Sequence, residues 1–135
     1  MATTRFLLDT HCLLWFQNND AKISAKVIDV IQNPANTIFF SQLSLFEIVI
    51  KQSLNKLPEF ISNIDEIYHQ PIKDDFTFLP LQNHHLNRYI QVPLFAQHRD
   101  PFDRALIATA YEENATILTV DKNFGLYDGF VNILW

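Results

Sequence analysis

The sequence predicts an α/β fold, a mostly parallel sheet with helices packed on its faces. Three observations predict it. Strand-like and helix-like segments alternate along the 135 residues, the pattern that right-handed crossovers turn into parallel strands. The run Phe6-Leu7-Leu8 is apolar at every position, as a strand buried on both faces requires. The stretch Ala105-Leu106-Ile107-Ala108-Thr109-Ala110 is small and apolar on nearly every side, as a helix buried against a sheet requires.

In order, the first strand Phe6–Leu8 ends at Asp9-Thr10, and a short helix is expected over His11–Gln17. After the loop Asn18-Asn19-Asp20, Ser24 caps a helix to about Gln32 with Val27, Ile28 and Ile31 inward, and Asn33-Pro34-Ala35-Asn36 breaks it. Thr37-Ile38-Phe39-Phe40 is β-branched and aromatic, hence a second strand. Ser41 caps the next helix, which carries Leu43, Phe46, Ile50 and Leu54. Pro58 is expected to open a further helix through Ile61, Ile64, Ile67 and Tyr68, which Pro71 ends. Phe76–Leu81 reads as a short edge strand, Asn83–Tyr89 as a short helix and Val92–Gln97 as loop. Asp100 is a good N-cap and Pro101 suits the first position of a helix running to about Asn114. Thr116-Ile117-Leu118-Thr119-Val120 is the clearest strand and ends at Asp121. A turn over Gly125–Gly129 leads to a last strand, Phe130–Leu134. Nothing marks a linker, repeat or second domain, so residues 1–135 are expected to form one domain.

Composition narrows the function. Gly is scarce, with 2 residues, which argues against a glycine-rich phosphate loop. The single Cys12 excludes an internal disulfide, and a reducing cytoplasm is the expected location. No apolar run is long enough for a membrane span, and no signal-peptide pattern opens the chain. A net charge of −5 gives no global pull toward nucleic acid, so any such attraction must be local.

Four acids stand where a parallel sheet binds ligands, outside the carboxyl ends of its strands. Asp9 ends the first strand and Asp121 the penultimate one. Glu47 lies in the helix after the second strand, and Asp103 in the first turn of the helix feeding the fourth. Glu47 shares a helical face with Leu43, Ile50 and Leu54. A carboxylate on an apolar face must be paired, protonated or bound to a metal, and clustered carboxylates raise one another's pKa. A divalent cation relieves both problems, and all-oxygen ligation favours Mg²⁺, or Mn²⁺, over zinc. Each acid alone also fits a plainer role. Asp9, Asp100 and Asp121 fit N-caps, Asp103 an ordinary first-turn acid, and Glu47 a partner for a basic residue.

The segments Leu7-Leu8-Asp9-Thr10-His11, Ser41-x-x-Ser44-Leu45-Phe46-Glu47-Ile48, His98-Arg99-Asp100-Pro101-Phe102-Asp103-Arg104-x-Leu106-Ile107-Ala108 and Thr119-x-Asp121-x-x-Phe124, in this order and spacing, resemble a PIN domain. Within that family they look most like the VapC-type toxins of bacterial toxin–antitoxin pairs. The resemblance covers essentially the whole chain. It implies a three-layer α/β/α sandwich and a metal-dependent endoribonuclease with Asp9, Glu47, Asp103 and Asp121 at the metal. Asp103 is preferred to Asp100 because it directly precedes the apolar run, which leaves Asp100 as a cap or supporting group. Ser44 and Thr119 match positions near the metal. The resemblance also implies a cognate antitoxin, an RNA substrate and a homodimer.

Phosphate contacts are expected from scattered cations: Arg99, Arg104 and Lys122 flank the acids, and Lys51 lies one turn beyond Glu47. His98 is expected at the surface, or orienting Asp100, and His84-His85 at the surface. The aromatics Trp15, Phe16, Phe39, Phe40, Phe46 and Phe60 offer core and, in part, an apolar groove for a partner. Two other classes fit an aspartate at a strand end. An aspartate-nucleophile phosphotransferase would use Asp9, but a second acid two residues on is replaced by His11. A receiver-like binding module would use Asp9 or Asp121, but gives Glu47 no role.

Overall fold

The computed structural model describes residues 4–135. Five parallel strands form one sheet: β1 (Arg5–Leu8), β2 (Thr37–Ser41), β3 (Thr77–Leu79), β4 (Thr116–Leu118) and β5 (Ile133–Leu134), in the order β3-β2-β1-β4-β5. Six helices connect them: α1 (Thr10–Gln17), α2 (Ala25–Gln32), α3 (Gln42–Ser53), α4 (Ile64–Lys73), α5 (Asn83–Tyr89) and α6 (Pro101–Glu113). A 3₁₀ helix over Lys122–Tyr127 follows β4. The sheet is thus wholly parallel rather than mostly so. β3 lies at one edge, as expected, and β5 at the other.

Side chains alternate across the sheet. Phe6, Leu8, Ile38, Phe40 and Leu118 pack on one face with α1, α2, Ile48 of α3 and Ile67 of α4. Leu7, Phe39 and Ile117 pack on the other with Leu106 and Ile107 of α6 and with Phe124 and Tyr127. Both faces are covered, as a parallel sheet demands, and the result is the three-layer sandwich. No helix of the described residues is long and apolar enough to cross a membrane.

The chain winds outward from β1 through β2 to β3, then returns to lay β4 on the other side of β1. The gap between the carboxyl ends of β1 and β4 is therefore the topological switch point, where such sheets bind ligands.

Most caps fall where the sequence puts them. Ser24 accepts from Val27 N, Ser41 from Leu43 N, and Asp100 from Phe102 N and Asp103 N. Asn114 ends α6 in the left-handed conformation at φ 53. The expected helix from Pro58 is a correction. Residues 54–63 carry no regular structure, and α4 starts at Ile64. Asn63 and Glu66 form a capping box there, each side chain bonding the other's backbone N–H, whereas Leu57 offers Pro58 no cap. Pro71 does not end this helix but lies inside it. Its missing N–H leaves the Ile67 carbonyl without a helical donor, and Gln17 Nε2 donates to that carbonyl at 2.9 Å. Phe46 and Leu54, placed by their spacing on the apolar side of α3, are 59% and 57% exposed. The Phe46 ring meets the Phe102 ring edge-on, centroids 5.7 Å apart.

Candidate active site

Strand ends and helix starts position the acids. Asp9 leaves β1, whose register with β4 its own amide extends by donating to Leu118 O at 3.2 Å. Its carboxylate caps α1 by accepting from Cys12 N at 2.7 Å. Asp121 follows β4 and caps the 3₁₀ helix by accepting from Asn123 N at 2.9 Å, while its own N–H donates to Thr119 Oγ1 at 3.0 Å. Asp103 lies in the first turn of α6, so the amino ends of α1 and α6 both favour negative charge here. The plain capping roles of Asp9, Asp100 and Asp121 are real, and at Asp9 and Asp121 they coexist with the cluster.

The four acids share this edge, where the charge of Asp121 acts on Asp9 and that of Glu47 on Asp103, but only Asp103 and Asp121 close into one cluster. Carboxylate oxygens of Asp103 and Asp121 and a ring nitrogen of His98 all lie within 4.8 Å of one another. Burial pushes the Asp9 carboxyl above its usual range, an effect that the Thr119 hydroxyl and Cys12 amide oppose and the charge of Asp121 reinforces. Burial likewise raises Asp103 to about 6, with His98 opposing and the charges of Asp100 and Glu47 adding to the rise. Asp9 and Glu47 are both buried. Among the described residues, the only ion-pair partners of the four acids are Lys51 for Glu47, at 2.9 Å, and His98 for Asp103. That leaves an excess of negative charge in a half-buried pocket of hard oxygen donors, a set suited to Mg²⁺ or Mn²⁺. His98 does not fit as a ligand, because its Nε2 faces Asp103 Oδ2 at 3.0 Å and its Nδ1 faces the Tyr127 hydroxyl at 2.7 Å.

Glu47 is held from two sides. The Thr10 hydroxyl donates to its Oε1 at 2.7 Å and lies 3.0 Å from Ser44 Oγ; Lys51 Nζ takes Oε2. Ser44 and Thr119 are both buried; Ser44 Oγ meets the Thr10 hydroxyl, and Thr119 Oγ1 accepts from Asp121 N. Thr10 is a participant that the sequence reading left unused; its place next to Asp9 was the available signal. His98 is the larger omission. It is 5% exposed and turned toward Asp103, not toward Asp100 or solvent, and its anchor Tyr127 lies too far along the chain for local pattern to reveal.

Arg104 is a correction among the expected phosphate contacts. It is buried, donates from Nη2 to Val92 O at 2.9 Å, and its guanidinium stacks over Tyr89; among the described residues its Nε has no partner. Arg99 and Lys122 are exposed near the acids in sequence, as is Asp100. His85 corrects a further expectation. It is buried and, with the exposed His84, contacts Glu113, which also pairs with Arg5. Burial opposes ionisation of Glu113, but the two histidines and Arg5 overcome it and hold the carboxyl below its usual range. Phe39 and Phe40 are core, whereas Trp15, Phe16 and Phe60 are half-buried.

Buried carboxylates at the switch point of a parallel α/β sandwich define a class of domain whose hard oxygen donors could hold a divalent cation. The PIN domain model matches residues 6–129. The chain belongs to the PIN domain family, whose members are nucleases acting on phosphodiester bonds. No curated protein sequence matches it significantly. Solved structures share its fold at low identity. A chain of DNA-bound VapBC from Salmonella typhimurium superposes with TM-score 0.67 at 16% identity, covering 98% of each chain. VapBC2 from Rickettsia felis, bound to a DNA fragment from its promoter, gives 0.66 at 15% identity over 97% of this chain and 98% of that one. FitAcB from Neisseria gonorrhoeae gives 0.61 at 17% identity over 96% of each.

Proposed function

We propose that this PIN domain is a Mg²⁺- or Mn²⁺-dependent endoribonuclease and the toxin of a toxin–antitoxin pair. The observation that supports the chemistry is the closeness of Asp103 and Asp121, with Asp9 and Glu47 buried near enough for their charges to be felt and too few cations to balance the four. Asp9, Asp103 and Asp121 would hold the ion, with Glu47 beside them. A divalent ion supplies Lewis acidity there: it makes water more nucleophilic and offsets charge on the phosphoryl oxygens.

The chain's own groups do the rest. Thr10 and Lys51 fix the two oxygens of Glu47, leaving that carboxylate oriented at the cluster as a proton acceptor for the attacking water. His98, locked by Tyr127, fixes Asp103. The amino ends of α1 and α6 add partial positive charge where a phosphodiester would lie. By the family resemblance, the products carry a 5′-phosphate and a 3′-hydroxyl, and the ribose 2′-hydroxyl is not the nucleophile.

The toxin reading rests on the likeness to VapBC and FitAcB structures. It brings an antitoxin partner, a homodimer and a cytoplasmic location. No feature of the site favours an aspartate-nucleophile phosphotransferase or a receiver-like module. The test is digestion of RNA by the purified chain with Mg²⁺, with chelator, and with Asp9→Asn checked for folding by circular dichroism. Metal-dependent cleavage lost in the variant supports the reading, and equal cleavage by the variant overturns it.

A further inference from the structure

A cavity of about 560 Å³ opens beside the acids, walled by α1, the end of α3 and the irregular stretch after it. Three of the chain's ten Lys and Arg residues, Lys22, Lys51 and Lys56, line it. Against them stand Asp20 and Glu59, and the Asp20 carboxylate is occupied by the backbone N–H of Lys22 at 2.9 Å. Lys51 is taken up by Glu47, so in a chain of net charge −5 the cations this wall offers to a ligand are Lys22 and Lys56. Aromatic surface lies among the cations. Trp15 and Phe60 are half-buried in the wall, and Lys22 Nζ stands 5.7 Å from the Trp15 ring centre.

Two wall residues reach into the acidic site. Lys51 Nζ is 2.9 Å from Glu47 Oε2, and His11 lies in the first turn of α1, which Asp9 caps. A strand whose phosphate lies at the acids therefore has its neighbouring nucleotide at this cavity. Cations interleaved with aromatic rings bind unpaired nucleotides, the cations tracking phosphate and the rings stacking a base. A base inside a duplex has no free face to offer Trp15.

We propose that this cavity receives one unpaired nucleotide of the RNA strand, adjacent to the cleaved phosphodiester, with its base against Trp15 and its phosphate at Lys22 and Lys56. The assignment rests on the nuclease reading for its substrate, yet it is measurable without turnover. Trp15 and Trp135 are the chain's two tryptophans, and their rings meet edge to face at 5.8 Å, so intrinsic fluorescence reports directly on the cavity.

The experiment titrates a six-nucleotide single-stranded RNA into the full chain in EDTA and follows tryptophan fluorescence. The single strand is expected to quench, and a duplex of the same sequence is not. Lys22→Glu and Lys56→Glu, both at exposed positions, are expected to weaken binding by at least about fivefold through lost phosphate attraction. Lys73→Glu, on α4 away from the cavity, removes the same charge and is expected to leave binding unchanged. Unchanged affinity in both cavity variants overturns the proposal, as does equal quenching by the duplex. Quenching by an amphipathic peptide but not by RNA overturns it too, and makes the cavity a protein-docking site. If RNA quenches as described but Mg²⁺ brings no cleavage, the cavity stands and the nuclease reading falls. If RNA is cleaved but both variants bind it like the parent, only the cavity assignment falls.

Discussion

His98 Nε2 lies 3.0 Å from Asp103 Oδ2, with the other ring nitrogen 2.7 Å from the Tyr127 hydroxyl. The phenol thus fixes the imidazole, and the imidazole fixes a carboxylate of the cluster. His98→Gln is expected to lower metal affinity by roughly 10- to 100-fold, the usual cost of losing a group that orients a metal-binding side chain. Tyr127→Phe is expected to act in the same direction with smaller effect. Isothermal titration with Mn²⁺ measures both, with circular dichroism to establish that the fold persists.

Burial raises Asp103 to about 6, and the sign of the resulting pH dependence follows. A folded-state pKa above the unfolded value contributes stability that is full below about 4 and is lost as pH rises through about 6. The rise from 3.8 corresponds to roughly 3 kcal/mol at most, and the raised Asp9 adds in the same direction. In EDTA, the melting temperature is therefore expected to fall between pH 5 and pH 7.5 by more in the parent than in Asp103→Asn. Added Mg²⁺ is expected to stabilise the parent more at pH 7.5 than at pH 5, since a ligand of the folded state stabilises it by mass action.

Thr10 gives Glu47 Oε1 its hydrogen bond at 2.7 Å inside the protein. Thr10→Val keeps the shape but leaves a buried carboxylate oxygen short of a donor, which costs about 1–3 kcal/mol. Denaturant unfolding of Thr10→Val, Glu47→Gln and the double variant is expected to show strong coupling between them. Additive effects would mean that the two side chains do not act together.

Arg104 and Lys122 flank the acids alike in sequence but differ in the fold. Arg104→Ala removes a buried guanidinium bonded to Val92 O and is expected to lower thermal stability. Lys122→Ala leaves stability unchanged and is expected to reduce the salt dependence of single-stranded RNA binding by about 0.7 in log–log slope.

What the sequence made legible is the part set by local rules. The apolar run at Leu7-Leu8 fixes a buried strand, and the residue after it must then emerge at the sheet's carboxyl edge, which places Asp9. Asp100-Pro101 marks the start of α6 and so places Asp103. Topology does the rest, because a return crossover to β4 brings Asp121 next to Asp9. What stayed hidden depends on partners distant in sequence. His98 is drawn inward by Tyr127, and Arg104 by Val92 and Tyr89. Pro58 suits a helix start but has no cap before it, whereas the Asn63–Glu66 box sets the true start of α4. The exposure of Phe46 is not legible either, because spacing on α3 shows a face but not its depth.

Pro71 leaves α4 one donor short, and Gln17, at the last turn of α1, supplies it to Ile67 O. Neither helix is therefore self-contained: α4 completes its own ladder only once α1 is seated. The same α1 begins at the Asp9 carboxylate, so the order of a peripheral helix and the aim of a central acid share one rod. Converting Pro71 to alanine would free α4 from that dependence and loosen the grip that now holds the far end of α1.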